Sequence, residues 1–248
     1  MKFNPMKHRI PVLKRLVPSL KKRAAGLLSL NGFSLRKSKG TVFLLNTKNF
    51  VDRQIAFYDD FESAQIAYLF RAMKEHGCDI FIDVGANIGF YTVQVALAGL
   101  SSRILAFEPD PRNLLQLGAN ILVNRLVGKI SVIGKAVSSS SGVVPFSPGA
   151  DTSTGQSRID GGGSGVTIDC VALDDVVADS GRRIFIKMDI EGHELAAISG
   201  MQSCIGRNRI FLQVESFPGN LERVQEELSR LGLRHINRIG DDHYFSNF

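Results

Sequence analysis

Apolar and polar positions along this chain follow two periods that take turns. Short apolar runs at Ile80–Val84, Arg103–Phe107, Ile130–Val137, Ile184–Met188 and Ile210–Val214 have the length and bounding turns of buried strands. Between them lie longer segments with apolar residues three and four apart, which predict helices over Gly89–Ala98, Pro111–Leu126, Glu194–Met201 and Asn220–Leu231. A helix over 59–75, with Asp59 or Asp60 as its N-cap, precedes the first unit. Strands alternating with helices imply βαβ units and a parallel sheet.

Three regions depart from this rhythm. Residues 41–51 predict a strand with a turn at Asn46–Asn49. Residues 138–165 are rich in Ser and Gly and predict turns and a mobile loop, flanked by extended segments at Val143–Phe146 and Val166–Leu173 that pair at one edge. Arg234–Ile239 and His243–Phe245 predict a closing antiparallel hairpin.

Net charge divides the chain. Residues 1–51 hold twelve Lys and Arg and no acid, whereas the remaining residues hold eighteen Lys and Arg against twenty-four acids. The reading is a basic arm over residues 1–40 and one domain over 41–248. The domain has no basic stripe, which argues against a nucleic-acid partner. Residues 1–39 carry a weak amphipathic helical pattern (Leu13, Leu16, Val17, Leu20, Ala24, Leu27, Leu28) interrupted by Pro11 and Pro18. Such an arm either remains solvated, covers the domain as a helix, or makes peripheral contact with an anionic membrane. No apolar run is long enough to span a bilayer. Cys78, Cys170 and Cys204 are scattered and odd in number, as expected of reduced thiols in a cytoplasmic protein.

Two strand tips carry the candidate chemistry. FIDVGANIGFYT at 81–92 and IKMDIEGHELAAISG at 186–200 each deliver an acid and a glycine where a strand gives way to a helix. Ligands of open α/β sheets bind beyond the carboxyl ends of the strands, so the two tips imply one crevice. At the first tip Gly85 permits a sharp turn and Gly89 close helix packing. Asn87 and Phe90 stand where a nicotinamide-binding G-x-G-x-x-G places glycines, which leaves less room for a pyrophosphate. A methionine tail fits better, with Asp83 or its neighbours facing the charged end. Glu108, at the tip of the next strand, suits a ribose diol and thus an adenosine ligand of either cofactor class.

DVGANIGFYT, AFEPDP at 106–111, ALDD at 172–175 and KMDIEGHEL at 187–195, in that order, resemble the FkbM-type S-adenosylmethionine-dependent methyltransferases. The resemblance implies a Rossmann-like class I methyltransferase fold: α/β, with a mostly parallel sheet, helices on both faces and the C-terminal antiparallel hairpin. It implies S-adenosyl-L-methionine as cofactor, held by Asp83, Gly85, Ala86, Asn87, Gly89, Tyr91, Thr92 and Glu108, with Asn124, Ala136 and Val137 flanking the adenine. It also implies O-methylation of a small-molecule or glycan acceptor, such as a sugar, glycolipid or secondary metabolite.

A hydroxyl acceptor must lose a proton, which calls for a positioned base. Asp189, Glu191 and His193 at the second tip are the candidates, Asp189 first because it stands nearest the strand end. His193 reads first as an exposed helix-start residue, and Glu194 equally as a first-turn acid complementing the helix dipole. Asp189, Glu191 and Glu215 have the oxygen chemistry of a hard-cation site, but no metal is assigned. Lys187 reads as a snorkelling or ion-paired residue, and the loop segment Asp151–Gly155 as a lid. Two other readings remain: a nicotinamide oxidoreductase, and a non-catalytic cofactor-binding domain held at membranes by its arm.

Overall fold

The computed structural model describes residues 31–38, 40–58, 60–159, 166–216 and 218–248. The helical and membrane-contacting readings of residues 1–30 lie outside these. Among the described residues no helix is long and apolar enough to cross a membrane.

A seven-stranded sheet organises the chain, in the order β12 (Arg234–Ile239), β13 (Asp242–Ser246), β11 (Arg209–Glu215), β10 (Arg183–Met188), β3 (Ile80–Val84), β4 (Arg103–Phe107), β5 (Ser131–Ile133). The five strands from β11 to β5 run parallel, and the terminal hairpin β12–β13 adds antiparallel to β11. Alternation along each strand sorts side chains to opposite faces. Ile80, Ile82, Val84, Ile184, Ile186, Leu212 and Val214 pack with Ile198, Cys204, Val224 and Leu228 on one side. Phe81, Phe185 and Phe211 pack with Leu69, Met73, Val93 and Leu117 on the other. The three phenylalanines are neighbours in register, and the rings of Phe185 and Phe211 stack at 4.8 Å.

The helices are α1 (Phe50–Phe57), α2 (Ser63–His76), α3 (Phe90–Ala98), α4 (Pro111–Val123), α5 (Leu173–Val176), α6 (Glu194–Ser199), α7 (Gln202–Arg207) and α8 (Pro218–Arg230). Three departures from the sequence reading concern the first sixty-odd residues. Phe33–Ser38, within the segment assigned to the arm, forms strand β1 and pairs antiparallel with β2 (Thr41–Asn46). Phe50 and Val51, expected at the end of a strand, instead open α1, which is capped by the Asn49 side chain accepting from the Val51 amide. The helix expected from Asp59 begins at Ser63, because Glu62 takes a left-handed conformation (φ 45°).

The free edge of β2 needs hydrogen-bond partners, and α4 with its C-cap supplies them from side chains spaced four apart. Gln116 donates to the Leu44 carbonyl (2.9 Å), Asn120 accepts from the Leu44 amide (2.6 Å), and Asn124 both accepts from and donates to Val42 (3.2 and 2.6 Å). This docks the β1–β2 ribbon onto the domain.

The run expected as one strand over Ile130–Val137 is two. Ser131–Ile133 ends the main sheet, and after Gly134 the segment Ala136–Val137 (β6) enters a second sheet of order β6-β9-β7-β8, with β7 Gly142–Ser147, β8 Arg158–Ile159 and β9 Thr167–Val171. This small sheet carries the Ser- and Gly-rich loop over the carboxyl ends of the main strands.

Candidate functional site

The two motif tips touch. Gly85 has φ 78°, and a Cβ there would collide with the Asp189 carbonyl oxygen. The Asp189 amide in turn donates to the Val84 carbonyl at 3.1 Å. Only glycine satisfies both the dihedral and the approach. The crevice expected from the two motifs is one continuous structure.

Two cavities meet along this seam and share Gly85, Asn87, Gly155, Asp189 and Glu191 in their walls. The smaller, about 60 Å³, is lined by Glu108, Asn113, Ala136, Val137, Phe146 and Ile159 among others. Glu108 is 4% exposed. Its two oxygens accept from the amides of Asn87 (2.7 Å) and Asp110 (2.8 Å), which fixes the plane of the carboxyl group. Burial raises its pKa to about 7 against those hydrogen bonds. Oε1 takes a second, longer bond from Asn113 Nδ2 (3.5 Å), while Oε2 keeps a second lone pair for a ligand hydroxyl. Asn87 reaches Glu108 through a left-handed backbone (φ 51°).

The larger cavity, about 360 Å³, holds most of the titratable groups. Its floor is a polar row across the sheet. Asp83 of β3 lies opposite Lys187 of β10, which lies opposite Gln213 of β11. The sequence carries this row as three strands of one design, Phe81-Ile82-Asp83, Phe185-Ile186-Lys187 and Phe211-Leu212-Gln213. Asp83 Oδ2 accepts from the amide (3.1 Å) and hydroxyl (2.5 Å) of Thr92, while Oδ1 is buried without a partner. Thr92 therefore positions Asp83 and lines neither cavity.

Lys187 is 6% exposed, its Nζ lies 3.0 Å from Asp189 Oδ2, and it sits 5.3 Å from the centre of the Tyr91 ring. Burial alone would lower its pKa, but the charges of Asp189, Asp83, Glu62 and Glu215 outweigh burial and hold it protonated. Tyr91 lines the larger cavity; its hydroxyl accepts from Gln213 (3.1 Å) and hydrogen-bonds Glu62. Burial raises Glu62 to about 7 and, with the charge of Asp189, Glu215 to about 8. Glu191 is also raised, by burial and then by Asp189 and Glu194, and has a left-handed backbone (φ 53°).

Several residues assigned to the site on sequence grounds lie away from the crevice or border only one of its cavities. Asn124 is tied to Val42 on β2 and lines neither cavity. His193 Nε2 is engaged with Ser138 Oγ at 2.9 Å, next to the end of β6, and lines neither cavity. Gly89 gives its space to Leu117 of α4. Ala86 lines the larger cavity, not the smaller. Glu194 accepts from Gly192 and Asn220 at 2.8 Å and is structural. The aspartate of ALDD, Asp174, accepts from the amides of Ser203 and Cys204 and so caps α7. Gly200 admits the Ser138 carbonyl where a Cβ would clash. Among the described residues no group of three or more His, Cys, Asp or Glu is arranged to hold a metal ion.

The segment expected to act as a lid roofs both cavities. Thr154–Gln156 forms a single 3₁₀ turn, Gly155 lines both cavities, and the Thr154 hydroxyl accepts from Asn49 at 2.6 Å. Arg112 donates to Asp151 (2.7 Å) and the Gly149 carbonyl (2.9 Å) while paired with Asp110, latching the loop to the start of α4.

Residues 83–235 match the family described as the methyltransferase FkbM domain, and this stretch contains both tips, Glu108 and the small sheet. The chain belongs to the FkbM methyltransferase family. It is 32% identical over 130 residues to the hexuronic acid methyltransferase AglP of Haloferax volcanii, covering 51% of this chain and 52% of that protein. It is 28% identical over 153 residues to the methyltransferase sdnD of Sordaria araneosa, covering 48% and 59%. The chain thus spans about half the length of the curated relatives it matches. Among solved structures, the S-adenosylmethionine-dependent methyltransferase from Agrobacterium tumefaciens superposes with a TM-score of 0.51 at 10% identity over 88% of this chain and 70% of that one, which shows the shared fold. The FkbM methyltransferase from Methylobacillus flagellatus is 21% identical with a TM-score of 0.48, covering 79% and 54%. Family and fold are those of S-adenosylmethionine-dependent methyltransferases, and the nicotinamide reading falls.

Proposed function

We propose that this protein methylates a hydroxyl group of a sugar, with S-adenosylmethionine as donor. The observation that carries the reading is the seam: a narrow cavity with a fixed carboxyl group opens into a wider polar one, and Asp189 and Glu191 stand in both walls. The residues fit the cofactor. Glu108 Oε2 offers an acceptor to a ribose hydroxyl, and the unpartnered Asp83 Oδ1 offers one to an ammonium group. Ala136 and Val137 give the smaller cavity an apolar side suited to a purine. The relative named for a hexuronic acid substrate supports a sugar as the acceptor class.

The cofactor supplies an electrophilic methyl group bound to a sulfonium. The chain must orient the acceptor, keep water out and take up a proton. Positioning accounts for much of the rate of such a displacement. Glu191 takes the hydroxyl proton on a carboxylate oxygen: it borders both cavities and its pKa lies above the usual glutamate value. A base near the operating pH serves best. Asp189 is ion-paired with Lys187 at 3.0 Å, and its role is to hold the acceptor and that lysine in place.

Incubation with labelled S-adenosylmethionine and a sugar panel tests the reading. Glu191→Gln should lower turnover by roughly 10²–10⁴-fold with cofactor affinity retained. If that loss falls instead on Asp189→Asn alone, the base is Asp189. Absence of transfer to every sugar hydroxyl, with cofactor bound, would refute sugar O-methylation.

A further inference from the structure

The larger cavity has an electrostatic character that bears on which sugar it takes. Among the described residues Glu62, Asp83, Asp189, Glu191 and Glu215 line it, against one lysine, Lys187. That lysine is committed: it is buried, bonded to Asp189 and opposite Asp83 in the sheet. The basic residues Lys135 and Arg158 border the smaller cavity and not this one. A bound cofactor ammonium satisfies one carboxylate, and the unpartnered Asp83 Oδ1 is the site for it. Glu62, Glu191 and Glu215 remain around the space left for the acceptor. Phe50, half exposed at 50%, and Phe61 add apolar wall beside them.

We infer that the acceptor is a sugar without a carboxylate, and that an amino-bearing sugar is bound in preference to its neutral counterpart. The inference rests on the sugar O-methylation reading and narrows it, away from the uronic acid named for one relative. A uronate would carry its negative charge into a wall of carboxyl groups whose one described cation is already engaged, and like charges brought together select against a partner. Hydroxyl and ammonium groups are donors, and the carboxyl groups of the wall, once ionised, are acceptors only.

The experiment uses the full chain saturated with S-adenosylhomocysteine. Methyl glycosides of the gluco, galacto and manno series, each as neutral sugar, 6-amino-6-deoxy sugar, whose amine is largely protonated, and uronate, are titrated by calorimetry at pH 8. The expected order within a series is amino sugar tightest and uronate at least about tenfold weaker than the neutral sugar, or about 1.4 kcal/mol. The protein carrying Glu62→Gln and Glu215→Gln, shown to be folded by its retained S-adenosylhomocysteine binding, should discriminate by less than about threefold. Uronate binding as tightly as the neutral sugar overturns the inference and leaves sugar methylation standing. Binding of no sugar, with S-adenosylhomocysteine bound, overturns both. Discrimination unchanged in the doubly substituted protein overturns the assignment to these carboxyl groups.

Discussion

Gly85 and Asp189 are in direct backbone contact, so the glycine turn after β3 and the turn that presents Asp189 and Glu191 have one shared surface. Gly85→Ala would need both a strained positive φ and the displacement of the β10 tip. The expected outcome is loss of S-adenosylhomocysteine binding together with a lower melting temperature. Calorimetry that finds wild-type affinity in Gly85→Ala would show that the two tips move independently.

Glu108→Ala removes a carboxyl group that two amides hold in a fixed plane. A hydrogen bond to a charged group contributes about 1.5–3 kcal/mol. Affinity for S-adenosylhomocysteine should fall roughly ten- to hundredfold. Unchanged affinity would remove Glu108 from the ribose.

Asn124 distinguishes a tether from a ligand. Asn124→Ala leaves the Val42 amide and carbonyl without their partner, at a cost of about 1–3 kcal/mol where the groups are buried. Denaturant midpoints should shift accordingly, with cofactor affinity unaltered. A selective loss of affinity at constant stability would return Asn124 to the adenine site.

Stability should fall from mildly acid to mildly alkaline pH. Asp52, Glu62, Glu108 and Glu215 have folded-state pKa values raised by burial to about 6, 7, 7 and 8. A carboxyl group raised above its unfolded value contributes stability that is complete below that unfolded value, about pH 4, and is lost as pH rises through the folded one. Asp110 is shifted down by its bonds to Arg112 and Ser157 despite burial, and so works in the opposite sense, losing its contribution as pH falls below the usual aspartate range. The melting temperature of the cofactor-free protein should therefore peak near about pH 5 and decline to about pH 8.5. A flat profile across that interval would count against the burial of these groups.

The alternation of β3, β4, β10 and β11 with their helices is legible in the sequence because each strand is buried on both faces and reads as a continuous apolar run. Glu108, Asp83 and Asp189 are legible for the same reason, since each is the acid that ends such a run. Glu62 is not. It looks like a first-turn acid of a helix started at Asp59, and only the left-handed conformation at Glu62 itself turns it out of the helix and toward the cavity. Lys187 reads locally as a lone charge in an apolar strand; its meaning comes from register, which sets it between Asp83 and Gln213. Residues 33–38 are hidden in a run of basic residues, because their alternation is inverted, with Phe33 and Leu35 exposed and Ser34 buried.

The roof of the crevice departs from the main framework at β6 and returns at β9, and those two strands lie side by side, joined at Ala136–Cys170 and Val137–Val171. The described residues between them belong to an excursion whose feet are fixed, braced by His193 on Ser138 and by the fit of Gly200 beneath it. The entropy of closing such an excursion grows only with the logarithm of its length. Residues can be added to or taken from it without moving the floor of the crevice, so a lineage of these proteins can change what it recognises at little cost to whether it folds.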